Sequence, residues 1–314
     1  MHQYVVYGLG VHTEIPLWGD VVADCRRDVT VRWRRDSSMP EERFEEPRID
    51  TDRADHFQFS WSDFGSLSIH SGTEIVVETA PGAEFNTLRH LVGSLGIGMV
   101  LHQRRILTLH ASAVEIGDRA VAIAGPKGTG KSTLSAALQN RGHRLLSDDI
   151  AALTVPPDAP PQVRPGTASI NLWPDSALAT GHDPSALPRI WSDVPKVVGH
   201  SPATVDRRPV SLGAVIILTR DGADLQPRRL QGVEALAQMI SQSHALRWVR
   251  DRQCLPWHLE QCRSVLLHVP MFRMGRGGSL DTLSELAQRV EELVACEGPP
   301  TRRAARRAAT AGAL

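Results

Sequence analysis

The sequence predicts an α/β protein in which a smaller β-rich domain, residues 1–83, precedes a larger α/β domain, residues 84–297. Three observations predict it. Short β-branched and aromatic runs alternate with polar breaks through the first 80 residues, the pattern of a sheet with one wet face. From Phe85 onward the apolar spacing lengthens to that of a helix. Then Gly125-Pro-Lys-Gly-Thr-Gly-Lys-Ser-Thr133 matches the G-x-x-x-x-G-K-[ST] phosphate loop in full, which makes the second domain a nucleotide-binding one.

Within the first part, residues 4–7, 29–33, 57–61, 66–70 and 74–78 read as strands of an antiparallel sheet. The acidic, proline-containing stretch 36–53 reads as an exposed loop. No catalytic constellation falls here, which leaves a capping, docking or assembly role. Residues 84–104 read as a connecting helix, with Phe85, Leu88, Leu91, Val92 and Leu95 on one side and Gly93, Gly96 and Gly98 weakening it. Residues 106–114 read as a single strand, and Gly117-Asp118 as a hairpin turn into the strand 120–124 that enters the loop. Residues 132–139 read as the helix leaving it, and 145–150 as a strand beside the loop strand, ending at the same sheet edge.

After a proline-rich stretch, 163–175 reads as an irregular loop packed beside the site, with Arg164, Asn171, Asp175 and Lys196 as the polar side chains of interest. Residues 211–218 read as a buried strand, 232–249 as a helix and 265–269 as another strand. Residues 271–278 read as a turn whose Arg273 and Arg276 are expected at the surface, with reach to a phosphate as the alternative, and 280–296 as an amphipathic helix. The tail 298–314 reads as disordered.

Lys plus Arg and Asp plus Glu balance at 35 each, so no overall field favours nucleic acid or a membrane surface. The 4 cysteines form no C-x-x-C pair, which argues against a zinc site and a disulfide framework and fits a reducing cytosol. No run of about 18 apolar residues occurs, and the N-terminus lacks the pattern of a signal peptide. The expectation is a cytoplasmic protein.

The chemistry gathers between Leu109 and Ile150. Glycines at 125, 128 and 130 let backbone N–H groups curl round a polyphosphate. Pro126, Lys127 and Thr129 complete the loop, with Thr133 just inside the helix. Lys131 supplies a cation for the β and γ phosphates, and Ser132 a hydroxyl for Mg²⁺. Asp148 and Asp149 follow at a strand end, where adjacent acids diverge, one to the metal and one to the substrate. His110 lies on the neighbouring strand, placed to orient or polarise Asp148.

These residues resemble the HPr kinase/phosphorylase catalytic domain and its HPr-kinase-like relatives. The resemblance rests on His110, Gly125 to Ser132, Arg141-Gly-His143 and Asp148-Asp149, and covers residues 101–153 closely. It implies a P-loop fold of the HPr kinase type and transfer from ATP to a seryl hydroxyl. Asp148 would be the general base, Asp149 and Ser132 would hold Mg²⁺, and His110 would support Asp148. It also implies a homo-oligomer. Thr133 stands where the bifunctional enzymes usually carry an acid, and their downstream acid-Ile-Arg-Gly signature is absent. The β-rich start, "LHASAV" and "INLWPDS" resemble the relatives that phosphorylate lasso-peptide precursors. The acceptor is then a peptide or protein hydroxyl, a natural-product precursor among the options. A nucleotide-binding regulatory or assembly protein and a small-molecule kinase stay open.

Overall fold

The computed structural model describes residues 1–35, 47–62, 64–80, 82–167, 169–200, 206–220, 225–249 and 252–297. The tail 298–314 and most of the expected 36–53 loop lie outside them. Seven strands form the first sheet: β1 (His2–Val6), β2 (Leu9–Thr13), β3 (Val29–Arg35), β4 (Arg48–Arg53), β5 (His56–Trp61), β6 (Gly65–His70) and β7 (Glu74–Thr79). Their order is β1-β2-β3-β7-β6-β5-β4. Val29 and Val31, or Ile75 and Val77, are buried while the residues between them are not, as period 2 demands. The sheet is mixed rather than antiparallel, because β3 runs parallel to both β2 and β7. Alternation of apolar residues is the same for either sense of pairing, so the sequence pattern does not distinguish them.

The tip of the β1–β2 hairpin reaches into the second part of the chain. Tyr7 (φ 53°) and Gly8 (φ 75°) both take left-handed backbone, the geometry of a two-residue type I′ turn. Tyr7 is buried, and its ring lies against Gly166, where an added Cβ would stand 2.6 Å from ring atoms. The Tyr7 hydroxyl donates to the Ile150 carbonyl at 3.0 Å, and its N–H donates to Pro165 O at 2.8 Å. The hairpin thereby holds the backbone directly after the acid pair. Tyr7→Phe keeps the ring and removes this bond. The expected cost is about 1–3 kcal/mol, read as a lower denaturant midpoint at unchanged m value.

The connecting helix is a continuous rod of α1 (Phe85–Leu91), a π-helical turn (Val92–Gly96) and α2 (Ile97–Gln103). Gly98 permits a close approach: a Cβ there would lie 2.4 Å from the His244 ring. Leu88, Val92, Ile97 and Val100 pack with Ile69, Ile75 and Val77 of the first sheet, and the same buried cluster takes in Ile150, Ala152 and Ala245.

The second sheet contains β8 (Leu107–Leu109), β9 (Ala111–Ile116), β10 (Arg119–Ala124), β11 (Arg144–Ser147), β12 (Ala151–Thr154) and β13 (Gln162–Arg164). A separate pair, β14 (Ser169–Leu172) and β15 (Val197–His200), brackets α4 (Pro174–Ala179), and β16 (Val210–Thr219), β17 (Arg228–Leu230) and β18 (Met271–Gly275) complete the main sheet. The helices are α3 (Lys131–Asn140), α5 (Gly232–Ser241), α6 (Leu255–His268) and α7 (Leu283–Glu297). Val121 and Ile123 of β10, with Ile216 and Leu218 of β16, face Leu134 and Leu138 of α3 and Leu286 and Val290 of α7. Ala120, Ala122 and Ala124, with Val215 and Ile217, face Met239 of α5 and Cys262 and Val265 of α6. The result is a three-layer α/β domain with both sheet faces covered.

Six local expectations change. Residues 48–53, expected within an exposed loop, form β4, and the helix expected over 232–249 ends at Ser241 as α5. The strand expected over 106–114 breaks at His110 into β8, which pairs with β12, and β9, which pairs with β10 and β11. The strand expected over 265–269 is the end of α6, whose buried residues His258, Cys262 and Val265 recur at helical spacing; a five-residue apolar run does not settle the period. The turn expected over 271–278 begins as β18, and the irregular stretch 163–175 contains β13, β14 and the start of α4.

Candidate active site

Strands β10, β16 and β18 are adjacent and parallel, and ligands of α/β sheets sit beyond the carboxyl ends of such strands. Those ends carry, in turn, the phosphate loop, Arg220 and Arg276. β9 lies between β10 and β11 and is antiparallel to both. The acid pair after β11 therefore does reach the loop's edge, although β11 is not the loop strand's neighbour. Gly125 has φ 141°, and a Cβ there would meet Leu218 O at 2.3 Å. No side chain caps the start of α3, so its first amides are left for an anion.

Within the loop, Thr129 Oγ1 donates to Pro126 O at 2.9 Å, and the Arg220 guanidinium donates to Gly128 O at 3.2 Å. Lys127 is exposed. Thr133 bonds Ser176 Oγ through its hydroxyl at 3.0 Å, so only its backbone can face a phosphate. The Lys131 ammonium folds back onto Gly125 O at 2.9 Å and Pro126 O at 3.4 Å. Burial lowers its pKa, while Asp148 and Asp149 oppose that shift.

The two acids diverge, and the loop serine and the histidine meet the opposite members of the pair from those expected. Asp148 accepts from Ser132 Oγ at 2.9 and 3.1 Å, from Ser112 Oγ, and from the Asn171 N–H at 2.9 Å. His110 does not support Asp148; its Nδ1 lies 3.2 Å from both the carboxylate and the carbonyl of Asp149. The cause is local backbone: Asp149 takes φ 71°, a left-handed turn that Asp tolerates, and swings its carboxylate away from Ser132.

Lys131 Nζ stands 3.2 Å from His110 Nε2. An ammonium only donates, so Nε2 accepts and the ring proton sits on Nδ1, facing Asp149. Burial alone would raise the Asp149 pKa, but the hydrogen bond from His110 holds it well below the carboxylate range.

Three cavities meet at the loop. One of about 610 Å³ lies over Thr129, Gly130 and Thr133 and reaches Trp173, Arg220 and Arg276. A second, of about 580 Å³, contains Lys131, Ser132, Asp148, Asp149 and His110, with Trp191 and Lys196 on its far wall. The third, of about 490 Å³, opens beside Gly125 to Lys127. Asn171 and Lys196 line the second and Asp175 the first, whereas Arg164 is tied to Thr154 and the Tyr7 carbonyl. Arg273 and Arg276, expected at the surface, each have a buried Nε and line cavities beside the loop. Arg141 and His143 both bind Glu291 of α7 at 2.7 Å and brace α3 from outside the site.

Two residues carry no local sequence signal. Gln242 offers Oε1 to the Gly125 N–H at 2.9 Å and its carbonyl to the His110 N–H at 2.7 Å, fixing the loop relative to the histidine. His244 is buried, with an unpartnered Nδ1, and burial holds its pKa down to about 4. It is neutral in the fold and protonates more readily in the unfolded chain, whose histidines titrate near about 6.5. Its contribution is present above that pH and lost as pH falls toward 4. Unfolding free energy is expected to drop by up to about 3 kcal/mol over that range, and less steeply in His244→Leu.

The oxygen donors at the helix start suit Mg²⁺. Mg²⁺ takes one or two carboxylates and fills its shell with phosphate oxygens and water, and Ser132 with Asp148 offers one hydroxyl and one carboxylate. Among the described residues, no group of three or more His, Cys, Asp or Glu could hold a metal by itself, and no helix is long and apolar enough to cross a membrane.

No family model matches the chain. The HPr kinase/phosphorylase of Xanthomonas oryzae pv. oryzae PXO99A is 37% identical over 97 residues, covering 31% of this chain and 29% of that protein. Its namesake in Xanthomonas euvesicatoria pv. vesicatoria is 36% identical over the same length. The chain thus spans less than a third of the length of the curated relatives it matches. The solved Hpr(Ser) kinase/phosphatase of Coxiella burnetii aligns with 59% of this chain and 88% of that one, at 16% identity and a TM-score of 0.32. Over part of its length, the chain is HPr-kinase-like.

Proposed function

We propose that the protein is a kinase that uses ATP with Mg²⁺ to phosphorylate a hydroxyl, a serine, of a peptide or protein, such as the precursor of a ribosomal natural product. The observation that carries this reading is the split of the acid pair, with Asp148 on the loop serine and Asp149 on a histidine that also touches the loop lysine. A protein that only binds nucleotide has no use for the second half of that arrangement.

In this reading the loop amides and the start of α3 hold the β and γ phosphates, and Lys131 leaves its carbonyl partners to neutralise them. Ser132 and Asp148 would hold Mg²⁺, which when bound offsets phosphate charge. The nucleoside occupies the 610 Å³ cavity, next to Thr133. The acceptor enters the 580 Å³ cavity. Its oxygen forms a bond to the γ phosphorus as the bond to the β–γ bridging oxygen breaks, ADP leaves, and the hydroxyl proton passes to Asp149. His110 holds that carboxylate through Nδ1–H and keeps it ionised until the proton arrives, late in a loose transition state. The first sheet, through Tyr7, holds the turn that carries both acids.

The test is incubation with γ-labelled ATP, Mg²⁺ and the peptides encoded beside the gene, followed by mass spectrometry. Phosphate on a serine of one such peptide is the expected result. Tight nucleotide binding with no phosphorylated product from any of them would replace the kinase with a nucleotide-binding regulator.

A further inference from the structure

The 490 Å³ cavity differs from its neighbours in charge. Lys127 from the loop, Arg247 from the turn after α5 and Arg273 from β18 all face it, and no carboxylate lines it. Lys127 and Arg247 have no ion-pair partner among the described residues. Arg273 has a buried Nε without a hydrogen-bond partner. Its guanidinium lies 3.5 Å from Glu234, but Glu234 is bound more closely by Arg228, at 2.6 Å. One carboxylate at the margin thus serves two guanidinium groups, and the cavity keeps an excess of positive charge.

His110, Lys127 and Arg247 line this cavity and the 580 Å³ cavity alike, so the two form one groove with His110 at its middle. The 610 Å³ cavity shares loop residues with them but not His110. The triphosphate is gripped from inside the loop, by the first amides of α3. The cationic cavity instead meets the loop at Gly125 to Lys127, where the Gly125 N–H is already taken by Gln242. Its cations are therefore spare for another anion, and a chain lying in the groove would place one flank among them.

We infer that this cavity is an acceptor subsite for a carboxylate: the peptide carries an acidic side chain within a few residues of the phosphorylated hydroxyl, bound by Arg273 with Arg247 and Lys127. This rests on the kinase reading above. A guanidinium that is partly desolvated and incompletely paired gains most from a carboxylate, which it binds through two parallel hydrogen bonds. A neutral side chain at that place leaves the charge unmatched, and a lysine adds repulsion.

The test compares serine peptides that differ only in carrying Glu, Gln or Lys at each position flanking the serine, by kcat/KM with ATP and Mg²⁺. Wild type is expected to favour Glu over Gln by about tenfold or more at one position, with Lys the poorest. Arg273→Gln should flatten that ranking and Arg273→Glu should place Lys above Glu. A variant that was merely destabilised would slow all peptides together and keep the order. Equal rates for all peptides in wild type, or an order unchanged in both variants, would overturn the subsite while leaving the kinase intact. Phosphorylation of no peptide at all would remove the kinase reading and the subsite with it. Inorganic phosphate is the other source of an anion. If it slows Glu and Gln peptides equally while they show no ranking, the cavity holds a free anion and the inference falls.

Discussion

Lys131→Met is expected to lower phosphoryl transfer by at least about 10²–10³-fold, the loss seen when one preorganised charge stabiliser is removed from a reacting centre. The effect is large because this is the buried cation of the loop, while Lys127 is exposed to solvent. Lys131 is 8% exposed, and its ammonium lies within reach of Gly125 O, Pro126 O and His110 Nε2, where burial leaves little water to screen it. Methionine matches the length of the aliphatic stem, so the thermal midpoint should change little. Single-turnover measurements with saturating ATP separate the two effects. A variant that transfers phosphate at the wild-type rate would mean that the loop does not hold the reacting phosphates.

Asp149→Asn is expected to reduce turnover by about 10²–10⁴-fold, the range for loss of a positioned proton acceptor, while nucleotide still binds in the presence of Mg²⁺. The amide keeps the size of the side chain and can still offer its carbonyl oxygen to the Nδ1–H of His110, but it carries no charge and takes up no proton from the acceptor. Asp148→Asn should behave differently. That side chain receives Ser132, Ser112 and the Asn171 N–H, so the amide disturbs the oxygen set at the helix start and weakens the Mg²⁺ dependence of nucleotide binding itself.

The parts of the site that were legible in the sequence are the ones with short-range geometry. Gly125 to Thr133, the apolar strand before it and the helix after it are contiguous, and each glycine has a local backbone reason. The placement of the acid pair at the loop's edge also followed from strand length and spacing. Which acid meets the loop serine and which the histidine did not. It depends on the left-handed backbone of Asp149 and on His110 sitting at the break between β8 and β9, and both are fixed by pairing with β12, by Gln242 and by the Tyr7 hairpin far away in sequence. The placement of Arg220, Arg273 and Arg276 beside the loop was not legible for a related reason. Their importance comes from β16 and β18 lying parallel beside β10, and strand order is a non-local property. The misreading of the end of α6 as a strand is of another kind, since five apolar residues carry too few repeats to tell period 2 from period 3.6.

The division of labour between Asp148 and Asp149 is tested most directly by titrating Mg²⁺ against ATP binding in Asp148→Asn and Asp149→Asn, with transfer to an unphosphorylated serine peptide measured on the same samples. The arrangement of Ser132 on Asp148 and His110 on Asp149 requires that Asp148→Asn lose most of the Mg²⁺ enhancement of binding, and that Asp149→Asn keep it and lose transfer. The opposite pattern, with Mg²⁺ enhancement lost in Asp149→Asn and kept in Asp148→Asn, would contradict it.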